Sequence, residues 1–251
     1  MKPYYADESV TLYHGDWREL IPEDFTADLI VTDPPYGETS LDWDVWPGGW
    51  PALAARHARS MWCFGSMRMF LDQRHEFGAW RLSQDIVLNK NTTGAHAGDR
   101  FSRCHEFALH WYRGPWADVY HQAPRVPAVK RVAGDVISRG AVGSGRLTGE
   151  MGAHRHVSDG MAYKRTVFDV DSVRGGINET EKHLAALEPL IQYGCRPGGT
   201  VLDFYAGSSS TLAAARNIGR KAVGFEKRES QCEAAALRLA QGVFDFGDAT
   251  A

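Results

Sequence analysis

The segment GTVLDFYAGSSSTLAAA, residues 199–215, runs an apolar stretch into a turn of small residues and then into a helix-forming stretch. Val201 and Leu202 read as a buried strand, Gly207 as the turn, and Leu212 to Ala215 as helix. The N–H groups and positive dipole end of such a helix can hold the polar end of a ligand. Gly207 and the serines around it let that ligand approach the backbone. The next strand, KAVGFE (221–226), closes on Glu226, an acid about twenty residues on that is placed to take two ribose hydroxyls. An ordinary crossover with a tight turn fits the same letters.

Working outward, VTLYH (10–14), ADLIVT (27–32), MWCFG (61–65), WRLSQDIVLNK (80–90) and HEFALHWYR (105–113) read as strands. DWRELIP (16–22), PGGWPALAARHARS (47–60), SMRMFLDQRHEFG (66–78), TEKHLAALEPLIQYG (180–194) with Thr180 as its cap, SSSTLAAARNIG (208–219) and ESQCEAAALRLAQG (229–242) read as helices. Alternating strands and helices predict an α/β fold with a mostly parallel sheet. Residues 114–176 lose the rhythm, and 137–160 reads as a flexible loop rich in glycine, arginine and histidine. Gly143 and Gly145 there lack a preceding strand, so a dinucleotide loop is not expected. His154 and His156 have no evident third metal ligand.

DLIVTDPPYGET (28–39) leaves its strand through an acid, two prolines and a tyrosine. Proline cannot donate to a sheet ladder, so the strand stops at Asp33. An acid, a stiff backbone and an aromatic ring therefore stand together at the strand's edge. Alone, these residues would also suit a capped turn with a packed tyrosine. They resemble the reactive motif of the S-adenosylmethionine-dependent DNA amino-methyltransferases, and the resemblance implies a reaction at an exocyclic base amine, whose lone pair is delocalised into the ring. Tyr36 can stack on an extruded base, while the Asp33 carboxylate and Pro34 carbonyl accept its amino hydrogens. The prolines fix the aim of that carbonyl in advance, as in-line attack requires, and Asp33 stabilises the positive charge that develops on the amine.

These two stretches resemble motifs of the S-adenosylmethionine-dependent DNA amino-methyltransferases. Asp33, Pro34, Pro35 and Tyr36 match the family's reactive motif, [DNS]-P-P-[YFW]. Asp203, Phe204, Tyr205, Ala206, Gly207, Ser208, Ser209, Ser210 and Thr211 resemble its cofactor motif, D-P-F-A-G-S-G-T-T. Ser209 replaces a motif glycine and Phe204 a proline. Thr180, Glu181, Lys182 and His183 resemble a T-x-K-P element that helps hold the methionine end of the cofactor, with His183 in place of proline. Asp16 matches a Gly-Asp element that accepts from the cofactor's adenine amine, and it can equally cap the following helix. The resemblance implies that Asp16, Asp33, Thr180, Lys182, Phe204 to Ser208 and Glu226 contact S-adenosylmethionine. Asn89, Lys90, His105 and Glu106 resemble residues flanking the base pocket. Trp43, Trp46 and Trp50 either lid the flipped base or pack in the core.

Motif order, reactive first and cofactor last, resembles the β group of the family, whose middle insertion reads DNA. The implied layout is a Rossmann-like domain from 1–113 and 177–251 with target recognition in 114–176. Residues 90–166 carry twelve of the 28 Lys and Arg against six of the 31 Asp and Glu, although the whole chain has net charge −3. Within it Arg125, Lys130, Arg131, Arg139, Arg146, Arg155, Lys164 and Arg165 are the candidate contacts to double-stranded DNA. Aspartate at the first motif position leans toward adenine N6 over cytosine N4. A degenerate relative that only binds DNA, and an RNA or protein methyltransferase, are the other readings. None of Cys63, Cys104, Cys195 and Cys232 follows a proline, which argues against cytosine C5 methylation, and no C-x-x-C pair suggests zinc or a disulfide framework. No apolar run suggests a membrane span or leader, so the expectation is a cytoplasmic protein. Members of the group often dimerise, and a homodimer would suit a palindromic site.

Overall fold

A strand buried on both faces must be apolar on both, and Leu29, Ile30 and Val31 meet that demand with 0% exposure each. In the computed structural model the described residues are 2–90, 98–99, 101–128, 134–138, 154–170 and 182–241. They fall into two compact units, Met1–Gln122 with Thr166–Ala251, and Ala123–Arg165. In chain order the first unit begins with β1 (Tyr5–Ala6), β2 (Val10–His14), α1 (Trp17–Leu20), β3 (Leu29–Thr32), α2 (Trp50–Ala54) and β4 (Ser60–Gly65). It continues with α3 (Met67–Asp72), β5 (Arg81–Lys90) and β6 (His105–Tyr112). The second unit holds β7 (Arg125–Pro127), β8 (Gly134–Ser138), β9 (His154–Ser158) and β10 (Met161–Tyr163). The first then resumes with β11 (Val167–Val170), α4 (Leu184–Gly194), β12 (Thr200–Asp203), α5 (Ser210–Asn217), β13 (Lys221–Glu226) and α6 (Glu229–Ala240).

The first unit is built on a nine-stranded sheet in the order β1-β2-β13-β12-β3-β4-β6-β5-β11. From β2 through β4, and between β5 and β11, neighbours are parallel; β6 runs antiparallel to both β4 and β5. Side chains alternate between two cores, as a period of two requires. Leu29, Val31, Trp62 and Phe64 pack with Leu187, Ile191, Leu212 and Ala235 of the later helices. Ile30, Met61 and Cys63 pack instead with Trp50, Met69, Phe77 and Phe204.

Several elements are shorter than their sequence patterns predict. The helix expected over 47–60 is only α2, because the chain must turn before β4 and His57 is tied by Nδ1 to the Phe25 carbonyl at 2.8 Å. The helix expected over 66–78 breaks after Asp72 into a separate turn of 3-10 helix at Arg74–Phe77. The helix expected from 180 starts at Leu184, and its cap is His183, whose Nδ1 accepts from the Ala185 N–H at 3.2 Å. Thr180 lies outside the described residues.

In the second unit, β7 pairs with β10 and β8 pairs with β9, all antiparallel. The loop expected over 137–160 therefore gives way to strand at Ile137, Ser138 and His154–Ser158. The partners lie across an intervening stretch of sequence, so local periodicity carries no sign of the pairing. Among the described residues, no helix is long and apolar enough to cross a membrane.

Candidate active site

The chain leaves β3 toward β4 and leaves β12 toward β13, so strand order reverses between these two neighbours. Open α/β sheets take ligands in the crevice beyond the carboxyl ends of such strands. Two aspartates stand there, Asp33 just past β3 and Asp203 at the end of β12. The Thr32 hydroxyl donates to Asp203 at 3.0 Å and ties the two strand ends together. A cleft of about 710 Å³ opens at this point, within the roughly 300–1,000 Å³ usual for small-molecule sites. Asp33, Pro34, Pro35 and Tyr36 line it from one side and Phe204 to Ser208 from the other, with Asp16, Lys182 and Glu226 at its walls. A second cavity of about 440 Å³, at the start of β3 and β4 beside Arg56, Arg59 and Arg113, contains none of the site residues expected from the sequence.

Asp33 is held by two donors. The Tyr36 hydroxyl donates to Oδ1 and the Lys182 ammonium lies against Oδ2, each at 2.5 Å. Lys182 also lies 3.5 Å from Glu106, which Lys90 meets at 3.1 Å, and 5.1 Å from the centre of the Phe64 ring. Burial pushes the Lys182 ammonium toward a lower pKa, but the facing Asp33 and Glu106 carboxylates outweigh it and hold it above the usual lysine value. Burial likewise raises Glu106, and the two lysines overcome that and leave it below the usual carboxylate range. Burial and the neighbouring Asp33 raise the Tyr36 hydroxyl, which keeps it a donor.

The turn after β12 is built from backbone. Asp203 accepts from the Tyr205 N–H at 3.1 Å as well as from Thr32. Its carboxyl is pushed up to about 7, chiefly by burial, against hydrogen bonds from Thr211, Tyr205 and Thr32 that lower it and with Asp33 adding to the rise. Gly207 has φ 50, and its N–H donates to Glu226 at 2.8 Å. Ser209, where the related motif has glycine, is the one non-glycine residue with positive φ among the described residues, at φ 61. Arg238 supports this turn, donating to the Ser210 hydroxyl at 2.8 Å and the Ser208 carbonyl at 3.2 Å. Asp16 does cap α1, accepting from the Arg18 N–H at 3.0 Å, while its carboxylate meets the Arg18 guanidinium at 2.7 Å and Lys227 at 3.1 Å. The Arg18 guanidinium first, then the Arg18 N–H and Lys227, hold the Asp16 carboxyl well below the usual range against burial.

The three tryptophans divide. Trp50 is core at 0% exposure, Trp46 donates from Nε1 to Glu76 at 2.9 Å, and Trp43 lies at the cleft with the Arg228 guanidinium 5.0 Å from its ring. Lys90 and Glu106 line the cleft, whereas the Asn89 amide donates to Asp169 at 2.7 Å and His105 packs edge-on to Phe107. In the smaller unit Arg125 is paired with Asp159 at 2.5 Å and Arg165 is exposed. Lys130, Arg131, Arg139 and Arg146 lie outside the described residues, and of Arg155 only the backbone, in β9, is described. Among the described residues no cluster of His, Cys, Asp and Glu could hold a metal ion.

Asp44 has no signal in the sequence. It is buried and accepts from the N–H groups of Tyr36, Gly37, Glu38 and Thr39 at 2.8, 2.9, 3.1 and 2.8 Å and from the Thr39 hydroxyl at 2.7 Å.

A family model described as DNA methylase matches residues 27–237. The type II methyltransferase M.ScaI of Streptomyces caespitosus is 27% identical over 276 positions, covering 97% of this chain and 86% of that one. A local match of 61 residues to YubD of Escherichia coli is 44% identical and covers 24% of this chain and 27% of that protein. Solved structures of other proteins share the fold. The M1.HpyAVI–SAM complex gives a TM-score of 0.64 at 21% identity over 92% of this chain and 99% of its own. The cytosine-N4-specific PvuII DNA methyltransferase gives 0.63 at 15% identity over 100% and 90%. With the match running through β3, the Asp33–Tyr36 tetrad and the turn after β12, the chain belongs to the N6/N4 DNA methylase family.

Proposed function

We propose that this chain methylates the exocyclic N6 amine of adenine at a defined site in double-stranded DNA, with S-adenosylmethionine as donor. One observation carries the reading: the Asp33–Tyr36 tetrad and the Gly207 turn line a single cleft where the sheet's strand order reverses. The donor set fits the cofactor. The carboxylates of Glu226 and Asp16 suit ribose hydroxyls and an adenine amine, the Lys182 ammonium suits the methionine carboxylate, and the Phe204–Ser208 turn supplies backbone and aromatic walls. When bound, the cofactor supplies an electrophilic methyl group on a cationic sulfur.

The chain's own residues do the rest. Tyr36 stacks on the extruded base. Asp33 and the Pro34 carbonyl accept from its amino hydrogens and would aim the nitrogen lone pair at the methyl group that a bound cofactor would supply. Asp33 would stabilise the positive charge that develops on the amine nitrogen, which then gives up one proton to solvent. Aspartate at the first motif position supports adenine over cytosine. Residues 114–176 are proposed as the target-recognition insertion, with its exposed basic residues on phosphates and base edges, and a homodimer as the assembly on a palindrome.

Incubating the protein with S-adenosylmethionine and duplex DNA, then digesting to nucleosides, tests the reading. N6-methyladenine is expected. N4-methylcytosine alone would overturn the adenine assignment, and no methylated nucleoside would overturn the enzyme. Asp33→Ala should abolish transfer while cofactor binding stays measurable by calorimetry; near-normal turnover would remove Asp33 from the chemistry.

A further inference from the structure

We propose that Asp44 is a positioning residue for base methylation, one that sets the stacking ring of Tyr36 by holding its backbone. This rests on the function proposed above. Tyr36 leaves β3 through two prolines, which restrict the chain on its N-terminal side only. On its C-terminal side stands Gly37, at φ 71, a residue whose lack of a Cβ leaves several backbone courses open to the chain. The Asp44 carboxylate removes that freedom. Four consecutive N–H groups, from Tyr36 to Thr39, converge on its two oxygens, and the Thr39 hydroxyl makes a fifth donor. Oδ1 takes the Tyr36 and Gly37 N–H groups, and Oδ2 takes those of Glu38 and Thr39. Charge-assisted bonds of this kind are roughly twice as strong as neutral ones.

The same clamp faces outward. Leu41, Trp43 and Val45, on either side of Asp44, are exposed at 47%, 41% and 66%, and Trp43 and Val45 line the cleft. Holding residues 36–39 therefore also fixes where this apolar rim stands beside the Tyr36 ring. The carboxylate itself touches neither Asp33 nor the cofactor turn among the contacts described, so its effect passes through Tyr36.

Asp44→Asn is the test, because asparagine keeps the shape and one acceptor oxygen while the charge and the second acceptor are lost. Single-turnover methylation of a defined duplex should slow by on the order of 10- to 100-fold, the loss that slight misplacement of reacting groups brings. Cofactor affinity by calorimetry should stay within about threefold, because the Gly207 turn is untouched. A target-site 2-aminopurine, whose fluorescence reports extrusion, should show the base leaving the stack but less quenched by the ring. A transfer rate equal to the parent's would overturn the proposal, as would equal losses in rate and cofactor affinity, which mark general damage. If Asp44→Asn does not fold, Thr39→Val decides, since it deletes one donor and keeps the carboxylate: a several-fold fall in the single-turnover rate is expected, and an unchanged rate overturns the proposal. An inactive parent protein would instead refute the function on which the proposal rests.

Discussion

Asp203 makes stability fall as pH rises, and the size of the fall follows from its burial. The residue is 3% exposed, and its carboxyl is pushed up to about 7 from the ordinary 3.8. Between these two values the folded state binds more protons than the unfolded chain, so raising the pH favours unfolding. The stabilising protonated form is complete below about pH 4 and is lost as pH climbs through 7. A pKa that differs by one between the folded and unfolded chain is worth about 1.4 kcal/mol, so the full penalty above the folded pKa is roughly 4 kcal/mol. From pH 5 to pH 8 the loss assigned to this group is about 2–3 kcal/mol.

Asp203→Asn keeps the acceptor for the Thr32 hydroxyl and the Tyr205 N–H and removes the titration. Urea unfolding of both proteins at pH 5 and pH 8, compared as a difference, cancels the groups that titrate alike in each. The variant is expected to gain on the parent by about 2–3 kcal/mol between the two pH values. A difference that stays flat within about 0.5 kcal/mol would mean that Asp203 is ionised in the folded protein throughout, and the buried-acid account would fail.

Ser209→Gly should stabilise the fold by about 0.5–1 kcal/mol, since left-handed backbone costs an L-residue roughly 1–2 kcal/mol and glycine returns part of that as unfolded-state entropy; thermal unfolding checks it, and a lower midpoint would contradict the φ of 61 at that turn. Lys182→Met leaves Asp33 and Glu106 facing each other without the ammonium between them, and should cost on the order of 3 kcal/mol in urea unfolding. Lys182 helps hold the Glu106 carboxyl below the usual range, so the stability it brings there is lost as acid protonates Glu106 and the cost should shrink in acid; a pH-independent cost would place the loss in packing instead.

Much of the site was legible because chemistry and chain geometry coincide locally. Asp33, Pro34, Pro35 and Tyr36 are consecutive, and the two prolines mark the strand's end in any context. The run from Val201 to Ala215 carries both its strand and its helix in its own composition. Asp16 read as a helix cap and as a cofactor contact; it caps α1 and lines the cleft. The three tryptophans were not separable in this way. Trp43 and Trp50 sit in the same stretch, yet one is exposed at the cleft and the other is at 0% exposure, because burial depends on what packs from Phe77 and Phe204.

Neighbouring residues alone specify seven of the nine strands of the large sheet, all but β1 and β11, with most of the helices and the two motifs, because each is written locally with a period of two or 3.6. Contacts between distant segments settle that β3 and β12 are neighbours, that β6 runs against β4 and β5, and that Glu106, Lys182 and Asp33 form one charged group. They also place the Asp44 carboxylate under the four N–H groups of Tyr36 to Thr39. Pairings of this kind depend on which surfaces pack together once the chain has folded back on itself, and no local repeat records that choice.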